Sequence, residues 1–309
     1  MRTGLKKHYY NLLKIKSRLF NGKPVLVVMY HRISNVFDDR LSNLTVTVEH
    51  FEEQLILYKQ KFTILRTEGE WNVDKKVGVV VTFDDGYADN VINALPLLEK
   101  YEIPATIFIS TLNIGTDREF WWDRLDYDYS KLGDTFLLPG NSEALTKKGF
   151  NYKSLSELIN KRTAEDKEQW LTEFEHLNGI DFKPRPEYRS LSHEELKMLS
   201  EHPLISIGIH TQNHYPLGKL SYEDQKKEIL YSIEQLRKLT DNYINYLAFP
   251  FGSYNNDSFK VLNELGIKGA FLANNNYTNN ECKRNRRIDR IMIFNFPIAW
   301  IVDYLGTFQ

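Results

Sequence analysis

Val79-Val80-Val81-Thr82-Phe83-Asp84-Asp85-Gly86-Tyr87 is the stretch on which the fold turns. Its apolar, β-branched start shows no polar alternation, as expected of a parallel strand covered on both faces. Two adjacent carboxylates follow at the strand's carboxyl end, where α/β folds place their chemistry. Neighbouring carboxylates repel each other unless a proton or a metal lies between them. Taken alone, the segment reads equally well as an Asp-Gly turn that closes a strand. Its neighbours have to decide.

Upstream, Pro24-Val25-Leu26-Val27-Val28-Met29-Tyr30-His31 is another buried-type strand, and it ends on a histidine. Such a histidine is more often a hydrogen-bonded structural residue than a catalyst. Residues 48–60 have helical spacing and residues 61–66 suit a short strand. Downstream, residues 87–101 predict a helix with Val91, Ile92, Leu95, Leu97 and Leu98 inward, kinked or shortened by Pro96. The strand 104–110 then completes a right-handed βαβ unit.

The alternation breaks between about 111 and 191. Phe120-Trp121-Trp122 there suits either a helix core or a sugar-stacking wall, and polar helical stretches follow at 154–160 and 163–176. Thr163 and Asp166 have capping-box spacing, and Ser192 with Glu195 caps the next helix. The strand 204–209 runs into His210-Thr211-Gln212-Asn213-His214, whose two histidines can converge on one metal. A helix from Ser221 to about Leu239 precedes a short strand, 246–249, that enters Pro250-Phe251-Gly252. A helix at 257–265, a strand at 269–273, a polar loop at 274–280, a closing strand at 286–293 and an apolar helix from about Ile298 complete the chain. Seven or so strands alternating with helices predict a distorted (β/α)7-type parallel barrel with a helical insertion at about 111–191. Without a repeat, low-complexity tract or linker, residues 24–309 read as one domain.

The 309 residues are 42% hydrophobic and 26% charged, which suits a globular protein with ample core. A net charge of −1 gives no sign of nucleic-acid binding. Cys282 is the one cysteine, so neither an intrachain disulfide nor a cysteine metal site is expected. No run of about 18 apolar residues predicts a transmembrane helix. The N-terminus lacks a signal-peptide pattern, so a cytoplasmic location is expected. Residues 1–23 carry seven Lys or Arg and no acid, interleaved with apolar residues at helical spacing. That pattern suits peripheral contact with an anionic membrane face, or equally a helix packed on the domain's own surface.

Acids, paired histidines and a Pro-Phe-Gly turn thus stand at three strand ends, which meet on one face of a parallel barrel. In this combination the sequence resembles the polysaccharide deacetylases, the NodB-homology domains of carbohydrate esterase family 4. Thr82-Phe83-Asp84-Asp85-Gly86 looks like the family's first motif, His210-Thr211-Gln212-Asn213-His214 like its second, and Ala248-Phe249-Pro250-Phe251-Gly252 like a variant of its third. The resemblance implies hydrolysis of an acetyl group from a sugar with a divalent metal, Zn2+ first and Co2+, Ni2+ or Mn2+ as alternatives. It makes Asp85, His210 and His214 the metal ligands, and such a set leaves open positions for water and a substrate carbonyl. It makes Asp84 the general base for the attacking water. The main-chain N–H of Phe251 becomes the oxyanion donor, on a turn that Gly252 permits.

Two departures matter. Ala248 stands where the family commonly has an arginine that orients the base, and Arg290 is the candidate replacement. No Leu-x-Leu-His motif supplies a general acid near the C-terminus. In deacetylases of poly-N-acetylglucosamine that histidine is permuted to the N-terminal strand, which makes His31 the candidate here. The implied function is removal of an N-acetyl group from an amino sugar of a glycan or glycan precursor, in surface polysaccharide biosynthesis on a carbohydrate or lipid-linked sugar substrate. The alternatives are a deformylase of a formamido sugar and a catalytically weak, metal-containing glycan-binding barrel. A metal phosphoesterase is disfavoured by the absence of a Gly-rich phosphate loop.

Overall fold

The computed structural model describes residues 23–301, apart from 37–39, 42, 76, 241 and 299. All but Lys23 of the basic segment expected at 1–23, and most of the expected C-terminal helix, lie outside the described residues. Eight strands form the main sheet: β1 (Val25–Tyr30), β2 (Gly78–Phe83), β3 (Ala105–Ile109), β4 (Ile205–Ile209), β5 (Tyr246–Ala248), β6 (Gly269–Leu272), β7 (Arg287–Asp289) and β8 (Ile291–Met292). Their order is β7-β6-β5-β4-β3-β2-β1-β8, every pairing is parallel, and Thr63–Ile64 adds a short flap beside β2.

The sheet curls into a nearly closed, distorted barrel. Its two edge strands, β7 and β8, are separated in the chain by Arg290 alone. The stretch 286–293, expected as one closing strand, is therefore two, and the chain crosses the seam at that arginine. Period-2 alternation sorts the side chains of each strand. Val25, Val27, Val80, Phe108, Ala248, Phe271 and Ile288 meet in one cluster inside the barrel. Leu26, Val28, Val79, Val81 and Phe83 point out to the helix layer. The same alternation carries Thr82 and Asp84 to the inside.

The helices follow from local signals. In α1 (Val48–Lys61) the Thr47 side chain accepts from His50 N, capping the first turn. Before α2 (Leu95–Tyr101) comes a wider turn over Asn90–Ala94, and Pro96 sits at the helix start, where its missing N–H costs nothing. That wider turn rotates the face, so Ile92, expected inward, is exposed. The segment 111–191 holds α3 (Trp121–Lys131), α4 (Tyr152–Asn160) and α5 (Ala164–Asn178). They bury a cluster of their own, with Leu125, Phe136, Leu155, Trp170 and Phe174. Beyond it, α6 (His193–Glu201), α7 (Tyr222–Leu239) and α8 (Asn256–Glu264) return to the barrel's outer layer, with a reciprocal capping box at Ser192 and Glu195. The polar stretch expected as loop ends in a short helix, α9 (Asn280–Arg284), because Asn279 accepts from Cys282 N and starts it. Among the described residues, no helix is long and apolar enough to cross a membrane.

Candidate active site

Asp84 and Asp85 leave β2 in different directions because the chain turns left-handed between them. Asp85 has φ 75° and Gly86 φ 84°. A Cβ on Gly86 would also come within 2.9 Å of Ile109 Cδ1, so the turn needs glycine for space as well as for φ. Thr211, His214 and Phe251 are left-handed too. Non-glycine residues in that region cost energy and gather where function constrains the chain.

Asp85 turns toward the histidines that follow β4. Its Oδ1 lies 3.3 Å from His210 Nε2 and 3.1 Å from His214 Nε2. All three residues are buried, and their ligand atoms lie within 4.8 Å of one another. His210 Nδ1 is 2.9 Å from the Ala248 carbonyl, which only accepts, so in the neutral ring Nδ1 carries the proton and Nε2 presents a lone pair. Asp85 Oδ1 is buried without a hydrogen-bond partner. Two imidazole nitrogens and an orphaned carboxylate oxygen facing one point fit a divalent cation.

Asp84 turns the other way, toward the seam. Arg290 is fully buried and grips it with two bonds, Nη1 to Oδ1 at 2.7 Å and Nη2 to Oδ2 at 2.8 Å. The guanidinium is steadied by the Leu272 carbonyl, 3.3 Å from Nε. Burial alone would push the Asp84 carboxyl up, but Arg290, with His210 and His31, outweighs it and holds the group below its ordinary value. Arg290 thus stands against the acid although it comes from a different strand end than Ala248.

These groups border one cavity of about 420 Å³. His31, half-buried at the end of β1, lines it beside Asp84, Asp85, His210, His214 and Arg290. Phe251 stands half exposed at the rim, its ring edge-on to His214 at 4.7 Å. The site residues expected from the sequence are therefore brought together at the carboxyl ends of the strands.

Trp121 and Trp122 belong to both places the sequence left open for them. Both are buried in the insertion's core and both line the cavity. Trp122 lies 4.8 Å from the His214 ring, and its Nε1 donates to Tyr87 Oη, which donates to Asp123 at 2.6 Å. Tyr152 and Ser156 of α4, together with Asn43 and Met292, also line the cavity and were not singled out from the sequence. No local pattern marks them: Tyr152 and Ser156 reach the site through the docking of the insertion, and Asn43 and Met292 through the closing of the barrel and its first loop.

The chain matches the sequence profile described as polysaccharide deacetylase over residues 72–270, well over half its length. It is 22% identical over 255 residues to YxkH, a polysaccharide-deacetylase homologue of Bacillus subtilis (strain 168), covering 78% of this chain and 62% of that protein. The chain thus spans less than two thirds of that relative. It is 24% identical over 312 residues to the poly-β-1,6-N-acetyl-D-glucosamine N-deacetylase of Staphylococcus epidermidis, covering 95% of this chain and 87% of that one. The solved structure of IcaB from Ammonifex degensii shares the fold, with a TM-score of 0.59 at 15% identity over 94% of this chain and 99% of that one. With its barrel, its paired acids and histidines, and this match, the chain belongs to the polysaccharide deacetylase family.

Proposed function

We propose that the protein is a metal-dependent hydrolase that removes the N-acetyl group from an amino sugar of a glycan or glycan precursor, in surface polysaccharide biosynthesis. The observation that carries this reading is the convergence of Asp85, His210 and His214 beside an Asp84 that Arg290 holds ionised. Family membership and the name of the staphylococcal relative support the substrate class.

Asp85, His210 and His214 would hold a divalent cation, most simply Zn2+, which when bound polarises an acyl carbonyl and makes a water more acidic. The other steps fall to the chain. Asp84, fixed in orientation by Arg290, takes the proton of the attacking water. His31 donates a proton to the departing amine. The Phe251 N–H stabilises the oxyanion that develops at the acyl carbon. Trp122, Tyr152 and Phe251 offer aromatic faces to the sugar, with Asn43 and Ser156 as polar contacts on the same cavity. In this reading residues 24–309 act as one catalytic unit, and the basic segment 1–23 brings it to an anionic membrane face that presents a lipid-linked sugar.

The purified protein, supplied with Zn2+ or Co2+ and acetylated amino sugars, is expected to release acetate. Asp85→Ala and His210→Ala should abolish release, and Asp84→Asn should lower it about 10²–10⁴-fold. Release that survives both ligand substitutions would sink the assignment. Formate released from a formamido sugar, with no acetate from its acetylated counterpart, would select the deformylase instead.

A further inference from the structure

Where the insertion meets the barrel, a second and smaller cavity of about 30 Å³ lies behind His214. Lys167 of α5 borders it at 3% exposure, and its Nζ has no hydrogen-bond partner. The Trp121 and Tyr215 rings lie 5.0 and 5.3 Å from the ammonium, which offers some cation–π attraction but no acceptor. Among the described residues no carboxylate lies within ion-pair distance of it.

His214 borders the same cavity, and its Nδ1 is likewise buried and unpartnered. In the proposed reading Nε2 ligates a cation beside Asp85, and Nδ1 then carries the ring proton. A ligating histidine ordinarily donates that proton to a carboxylate, a carbonyl or water. His210 does so to Ala248, and among the described residues His214 Nδ1 has no such acceptor. Trp121 also borders the cavity, with a buried and unpartnered indole N–H.

Two acids also line the cavity and both are paired with arginines: Glu119 with Arg185 at 2.7 Å and Glu168, through one oxygen, with Arg124 at 2.8 Å. Glu228 nearby accepts from Asn213 N and Nδ2 at 2.9 and 2.5 Å. The Lys167 ammonium and the Trp121 indole N–H are left on the cavity without an acceptor among the described residues.

We propose that this cavity is a binding site for one small monoanion, halide or formate in size, held between the Lys167 ammonium and the His214 Nδ1–H. One water needs roughly 10–15 Å³ of such space, so there is room for about two water-sized atoms and none for a sugar. Water can accept from both donors but leaves a buried ammonium without counter-charge. Burial already pulls Lys167 down to about 8 against the attraction of Glu228, and an anion relieves that cost. The anion also gives His214 a charged partner, which strengthens Nε2 as a donor to a cation. The cavity and the Lys167 ammonium stand on geometry alone; the His214 Nδ1–H donor and this last consequence rest on the proposed hydrolase reading, in which Nε2 ligates the cation.

Crystals of the protein soaked in sodium bromide should show an anomalous peak in this cavity, absent from Lys167→Met. A wild-type cavity that holds solvent only overturns the proposal, and so does an equal peak in both proteins, which marks an adventitious ion only. In solution, zinc affinity measured by chelator competition at constant ionic strength should tighten about tenfold when methanesulfonate, too large for the site, is replaced by chloride or by formate. An effect of chloride alone identifies a halide site and an effect of formate alone a carboxylate site. No change with either anion overturns the link to His214. The salt comparison uses wild-type protein only, so it stands even if Lys167→Met folds poorly. Acetate release is read separately, so failure of the anion site and failure of the hydrolase assignment are distinguishable.

Discussion

In the barrel, Asp84 is buried against the Arg290 guanidinium and held below the ordinary carboxylate value, whereas in the insertion Asp123 and Asp128, just as deeply buried, are pushed up to about 8. The difference lies in whether an arginine forks onto the carboxylate. Arg290 forks both its Nη groups onto Asp84, with Thr82 Oγ1 a longer third contact at 3.4 Å, and a forked pair of this kind repays the loss of water. Burial dominates at Asp123, where Arg32 and Arg185 attract only from a distance and a Tyr87 hydrogen bond does not make up the deficit. Arg32 is bonded to Asp89 and Arg185 to Glu119. Burial and the neighbouring Glu175 raise Asp128, while the nearby Arg124 is bonded to Glu168 and Glu175. The barrel keeps Asp84 charged, and in the insertion Asp123 and Asp128 keep their protons as packing groups.

The largest expected effect tests the barrel half of this contrast. Arg290→Met leaves Asp84 charged and unpaired in the core, and urea denaturation should show a loss of about 3–5 kcal/mol. Asp84→Asn in the same chain should recover part of it. A single-substitution cost below about 1 kcal/mol would mean that the pair does not hold the seam.

The insertion half is tested by pH. Between the ordinary value near 4 and the value of about 8, folded Asp123 keeps a proton that the unfolded chain has lost. Stability should therefore fall as pH rises through that window. Asp123→Asn is expected to flatten the slope without abolishing it, since Asp128 acts in the same direction. Asp84 has the opposite sign: its folded value is depressed, so its contribution is lost as pH falls below about 4. Denaturation midpoints for Asp123→Asn that track wild type from pH 4 to 8 would remove Asp123 from the account.

The smallest effect compares two helix starts. Ser192 and Glu195 cap α6 reciprocally, whereas at α5 the Thr163 side chain accepts from Asp166 N without the return bond. Cap replacements cost roughly 0.5–2 kcal/mol, and Ser192→Ala should fall high in that range and Thr163→Ala low. Equal losses by thermal denaturation would erase the distinction.

Strands β1 to β6 were legible within a residue or two, because strands buried on both faces leave unbroken apolar runs. The caps at Ser192, Ser221 and Thr163 were legible for a similar reason, since each signal lies within four residues. The split of 286–293 was not, because one arginine among four charged residues of a strand-like run does not announce a seam. Nor was the outward turn of Ile92, set by the wider helical turn before Pro96. At the site, Asp84, Asp85, His210 and His214 stood out by type and spacing. Tyr152, Ser156 and the cavity behind His214 did not, because their residues are far apart in the chain and ordinary in their local setting.

The sequence by itself determined the alternation of strand and helix, the carboxyl-end placement of the acids and histidines, and the family. These follow from hydrophobic period and from short motifs, both of which are local. Only the tertiary structure decided that Arg290 grips Asp84 across the barrel seam, that Trp122 packs on His214, and that Lys167 is buried with no hydrogen-bond acceptor among the described residues. Each of those depends on which surfaces dock, and docking is set by the summed burial of distant residues that no stretch of sequence displays.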